Sequence, residues 1–413
     1  VPARSVAVFW AWALLGIGGS GAALCWAVGL YRRDLALLAG QGLALGMSAH
    51  GLLFLAGRAL GVRALPAALP VLALVAVLRR SRGAEEPPAV VTAGPGLVLV
   101  VLLGCALQPL ATLRQLGEPF PVDLLFHAGN AAEVRHRWPL EDPRMAGMPL
   151  NYPVLAYAIP SDASALTGLP VADCLLGLSS LLWIGLLALQ TYNVGRVLLG
   201  DGAAATLGAA VLLLHEDPGA WLGLGRGAFL STLDTAVYGS PTTVCGLVLV
   251  ASLTLTVAQA FADPGRRKTL MSLLVILALA ASLTKATVLP AVAAGCALVA
   301  AWTFRRGERD RARTAAILAC LLVAAAIPFT LRLGTGDSSY RGILRSDPGA
   351  IVRHSPFASA VGQSLGLAPD SPSWLIPVLA PAWLVGYLGL AGVGAFLFVA
   401  GRREPLTDAQ IFA

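Results

Sequence analysis

Asp123, His127 and Asn130 stand at i, i+4 and i+7 within the stretch 122–135, a spacing that lines one face of a helix. They put a carboxylate, an imidazole and an amide on one stripe, groups that accept, relay or orient a proton. Asp123 falls in the first turn, where a helix N-terminus favours negative charge, so capping is an equally open role for it. One Asp and one His are too few ligands to define a metal site, although His127 could help to hold a divalent cation. Two acidic pairs follow: Glu141-Asp142 before Pro143, and Glu216-Asp217 between His215 and Pro218. Each is either a further acidic contact or a turn opener. Asn151-Tyr152 sets an amide beside an aromatic ring. Lys285 closes the apolar run ending Leu283-Thr284-Lys285. An ionisable residue in such surroundings is rare and commonly functional; it either neutralises an anion or snorkels to lipid headgroups.

The chain that must hold these groups is overwhelmingly apolar. Of its 413 residues 57% are hydrophobic and 12% charged, with a mean hydropathy of +0.76. A soluble globule carries about 25% charge. The surplus apolar surface needs lipid, which excludes a secreted enzyme, a nucleic-acid-binding domain and a disordered tail. The net charge of +7 is therefore a topology signal, and no nucleic-acid partner is expected. The six cysteines lie in or beside apolar runs and form no C-x-x-C pair, as small packing residues do.

A spanning helix needs about 20 mostly apolar residues. Eleven runs meet or approach that length: 6–30, 35–56, 64–78, 96–113, 174–194, 197–214, 242–261, 270–284, 288–304, 314–331 and 374–400. Residues 270–304 must be two helices broken near Thr284-Lys285, because one helix would reach roughly 52 Å at 1.5 Å per residue across a ~30 Å core. Alternate short connections are basic, from Arg32-Arg33 through Arg79-Arg80, Arg196, Arg266-Arg267-Lys268 and 305–313 to Arg402-Arg403. Positive charge stays inside. The N-terminus is therefore expected outside and the C-terminus inside. The long connections 114–173 and 332–373 and the loop 215–240 then lie on the outer face, with His127, His136, His215 and His354. The expected fold class is all-α: a polytopic transmembrane helix bundle of about eleven spans, its outer loops carrying short interfacial helices. One of these is the amphipathic stretch 154–169.

The outer loop, with an early Asp on a short helix, the acidic-Pro pair Glu141-Asp142-Pro143, the turn Gly147-Met148-Pro149-Leu150-Asn151-Tyr152-Pro153 and interfacial helices, resembles the GT-C superfamily. The Leu283-Thr284-Lys285 element closing an apolar helix is also similar to theirs. These are multi-spanning glycosyltransferases that use polyprenyl-phosphate sugars, including the protein mannosyltransferase and lipid A aminoarabinose transferase families. The resemblance covers residues 96–413, leaving 1–95 as a three-span N-terminal addition. The usual Asp-Glu pair is here Asp123-Leu124, which leaves the acceptor class and any divalent cation open.

The resemblance implies an inverting transfer of a sugar from a polyprenyl-phosphate carrier to a cell-envelope glycan, lipid or protein, outside the bacterial cytoplasmic membrane. Asp123 would be the catalytic base. Its reference pKa near 3.9 lies far below that of a hydroxyl, so it would take the proton in the transition state. His127, Glu141, Asp142, Asn151, Tyr152, Glu216 and Asp217 would contact substrate, and Lys285 the phosphate. Arginines 135, 137, 144, 332, 341, 345 and 353 offer further phosphate contacts. The rival expectation is a non-catalytic transporter, flippase or assembly subunit for envelope polysaccharide. Acidic and histidine residues gathered on one outer face favour the enzyme, whereas matched half-helices at mid-membrane would favour transport. The first residue is Val, and the polar end 405–413 follows closely on a span, so the chain is expected to be truncated at its C-terminus.

Overall fold

The computed structural model describes residues 2–30, 34–81, 96–102, 106, 122–150, 152–214, 241–285, 289–335, 364 and 366. Five helices among them are long and apolar enough to cross a membrane: α1 (Ala3–Ala27), α2 (Leu35–Leu60), and the later Val171–Leu198, Thr242–Ala262 and Arg267–Lys285. Between them come α3 (Ala68–Ser81), α4 (Val122–His136) and α5 (Leu155–Thr167). We number Val171–Leu198 α6, Gly202–Leu214 α7, Pro241–Ala262 α8, Arg267–Lys285 α9, Leu289–Arg305 α10 and Arg309–Thr335 α11. The run 374–400 and most of 96–113 lie outside the described residues. α9 ends at Lys285 and α10 starts at Leu289; the break expected near Thr284-Lys285 falls at residues 286–288, which lie outside the described residues.

Local chemistry explains the ends. The Asp34 carboxylate accepts from the Leu37 backbone N–H at 3.0 Å, capping α2, and also pairs with Arg196 at the other end of α6. Asp201 accepts from the N–H groups of Ala203 and Ala204 and so starts α7. The charge that interrupts the run 197–214 is thus an N-cap.

α2 sits between the two apolar cores. Ala36, Ala44, Met47 and Phe54 join the core shared with α1, α4, α5 and α6, whereas Leu37 and Leu45 join the one shared with α8, α9, α10 and α11. Buried polar side chains tie it in: Gln41 donates to the Ser252 carbonyl at 3.1 Å, Gln190 to the Ser252 hydroxyl at 2.7 Å, and Asn193 to the Ala36 carbonyl at 2.9 Å.

Two features depart from expectation. Glu141–Asp142 and Met145–Pro149 form a two-stranded antiparallel hairpin, β1 and β2, a small addition to described residues that are otherwise mostly helical. Pro143 at the turn and an Asp142 carboxylate accepting from the Arg144 N–H at 2.9 Å make the reversal. The second is α5, expected as an interfacial helix. Leu155 through Ser161 and Ala163 are all buried, and α5 packs against α2, α4 and α6. Only its C-terminal part, around Ala165 and Leu166, is exposed.

Candidate functional site

α4 starts at Val122, which gives Asp123 its expected place in the first turn; its side chain lies outside the described residues. One and two turns on, His127 is 2% exposed and Asn130 is fully buried. The fully buried Tyr157 of α5 meets both. Its hydroxyl is hydrogen-bonded to His127 Nδ1, and Asn130 Nδ2 donates to the same oxygen at 3.4 Å. Whether the hydroxyl or Nδ1 donates follows the His127 tautomer. Ser161, one turn past Tyr157, donates to the Ala131 carbonyl at 3.0 Å and fixes α5 against α4.

Aromatic rings close around this group. Tyr152 stacks 6.2 Å from Tyr157, lies 5.8 Å from the His127 ring and meets Phe126 edge-on at 5.1 Å. Its hydroxyl is 3.5 Å from the Thr242 hydroxyl at the start of α8. Among the described residues Asn130 Oδ1 is buried without a hydrogen-bond partner, and an orphan acceptor costs about 1–3 kcal/mol. A hydroxyl brought by a bound molecule would satisfy it.

The hairpin supplies a cation at the rim. Arg144 grips Asp142 through two donors at 2.9 and 2.7 Å, and its guanidinium lies 4.2 Å from the centre of the Phe126 ring. Those bonds hold the Asp142 carboxyl below the usual carboxylate range against the opposing effect of burial. Asp142 thereby orients Arg144. Glu141 accepts from Arg137 at 3.1 Å and from the Gly147 N–H at 3.4 Å, bracing the hairpin.

Of the residues singled out in the sequence, the structure brings His127 and Tyr152 together one turn from the Asp123 backbone, with Glu141 and Asp142 on the adjoining hairpin. Lys285 ends α9, half-buried. Asn151, Glu216 and Asp217 lie outside the described residues. Among the described residues no group of three His, Cys, Asp or Glu side chains could hold a metal ion. Tyr157, within the stretch 154–169 expected to be an amphipathic helix, is the centre of the hydrogen-bond group. The spacing of Tyr157 and Ser161, i and i+4 in an otherwise apolar helix, was the available signal.

No protein-family model, curated protein or solved structure matches this chain. Function is therefore argued from the site itself. A buried imidazole–phenol–amide group, aromatic rings and an arginine on the adjoining hairpin stand together here.

Proposed function

We propose that this chain is an integral membrane glycosyltransferase of the GT-C type. It moves a sugar from a polyprenyl-phosphate donor to a cell-envelope acceptor on the outer face of the cytoplasmic membrane, with about eleven spans, the N-terminus outside and the C-terminus inside. The buried His127–Tyr157–Asn130 group, its His127 and Asn130 standing one and two turns along the helix whose first turn holds Asp123, carries this reading. The acceptor hydroxyl oxygen attacks the anomeric carbon as the bond from that carbon to the phosphate oxygen breaks. Asp123 takes the hydroxyl proton in the transition state, and the polyprenyl phosphate departs with the bonding pair. Backside attack inverts the anomeric centre.

In this mechanism His127 and Asn130 hydrogen-bond sugar hydroxyls, and Tyr152 offers a ring face to the sugar. Lys285 and Arg144 counter the phosphate charge. Asn151, Glu141, Glu216 and Asp217 are assigned supporting contacts with donor or acceptor.

The test is transfer by the purified protein in liposomes holding polyprenyl-phosphate-linked radiolabelled sugars and an envelope extract as acceptor. Label is expected in an envelope product with the opposite anomeric configuration. Donors that stay intact, or cross the bilayer unchanged, would instead support a transporter or flippase.

A further inference from the structure

A second cluster of charge lies at the C-terminal end of α2. Arg58, in the last turn, donates from Nη2 to the Arg137 carbonyl at 2.9 Å. Arg63, just past the helix, and Arg135, in the last turn of α4, both lie near enough to act on its charge. Among the described residues none of these three arginines has an ion-pair partner. The neighbouring carboxylates are engaged elsewhere, Glu133 and Glu141 by Arg137 and Asp142 by Arg144. Among the described residues Nε of Arg58 and Nε of Arg135 are buried donors with no acceptor.

Gathering like charges costs energy at each pair, and orphan charged donors add to that cost. The C-terminal ends of α2 and α4 favour Arg58 and Arg135 by about 0.3–1 kcal/mol each, but this leaves both Nε donors unsatisfied. A phosphate answers the whole arrangement, since its several oxygens match guanidinium forks. The surroundings indicate where that phosphate comes from. Leu60 and Val62, beside Arg58 and Arg63, are large apolar residues 72% and 49% exposed, at the end of a helix long enough to span. Basic heads set directly against exposed apolar side chains suit the boundary between headgroups and acyl chains.

We infer that Arg58, Arg63 and Arg135 form a binding site for the headgroup phosphate of an anionic phospholipid. The site does not depend on glycosyl transfer. It would anchor the α2 end and the α4 end to one lipid and so hold the helix bearing Asp123 and His127.

The experiment is lipid retention by the full chain, read by native mass spectrometry after exchange into mixed micelles of phosphatidylglycerol and phosphatidylcholine. The protein should retain phosphatidylglycerol in clear preference, and Arg58→Ala with Arg135→Ala should lower that preference about tenfold or more, the loss expected for one charge-assisted bond of roughly 1.5–3 kcal/mol. Arg63→Ala alters an exposed side chain and keeps the test decisive should the double variant fail to fold; it should lower the preference too. Equal retention of both lipids by the unaltered protein would overturn the proposal, as would a preference untouched by Arg63→Ala. Displacement of phosphatidylglycerol by millimolar inorganic phosphate would assign the site to a free anion and overturn the lipid assignment.

Discussion

At the scale of single residues, the Tyr157 hydroxyl serves two partners, so its removal has a definite cost. Tyr157→Phe strips the acceptor from the buried Asn130 amide and breaks the hydrogen bond with His127 Nδ1. Stability should fall by about 1–3 kcal/mol, measured by thermal unfolding in detergent, and sugar transfer should fall with it. Asp142 gives a pH prediction. Its folded pKa is depressed, chiefly by the hydrogen bonds from Arg144. Its contribution is therefore fully present above the ordinary Asp value near 3.9 and is lost as pH falls through the lower folded value. The stability gap between the unaltered protein and Asp142→Asn should be flat from neutral pH to about pH 5 and close in stronger acid. A gap that narrows between pH 7 and 6 would contradict this origin. The stripe Asp123, His127, Asn130 was legible because helical spacing is a local property. Tyr157 was not, because burial depends on which helices cover it.

At the scale of elements, close helix contact decides what α1 and α2 tolerate. A Cβ on Gly21 would stand 1.9 Å from the Gly42 carbonyl oxygen, and one on Gly46 2.2 Å from the Ile17 carbonyl oxygen. Small residues permit this approach. Gly21→Ala should therefore destabilise by about 1–3 kcal/mol or more, whereas Gly208→Ala, with nothing within 4 Å of its added Cβ, should leave the melting temperature unchanged or raise it. Equal melting temperatures for Gly21→Ala and the unaltered protein would mean that α1 and α2 do not pack this way. Many of the helices were legible in the sequence because apolar length marks them. The hairpin at 141–149 escaped it, since two- and five-residue strands show too little period to register. Burial of α5 escaped it because a helix of Ala, Ser and Ile carries the same pattern at an interface and in a core.

At the scale of the whole molecule, two groups of charge among the described residues stand far apart in role: the helix-end pair Asp34–Arg196, and the cluster of Arg137, Glu141, Asp142 and Arg144 beside the aromatic site. The proposed topology puts those two groups on opposite faces of the membrane. Single cysteines introduced at Arg266 and Arg137 in a cysteine-free background test it. A membrane-impermeant maleimide added to intact cells should label position 137 and spare 266, and the reverse pattern would invert the bundle. The central claim is transfer dependent on Asp123, which needs the donor phosphate bond to break. The most direct measurement is release of polyprenyl phosphate from a radiolabelled donor by the purified protein and by Asp123→Asn. Turnover should fall about 100-fold or more in the variant with its unfolding midpoint unchanged, and equal turnover by both proteins would contradict the assignment.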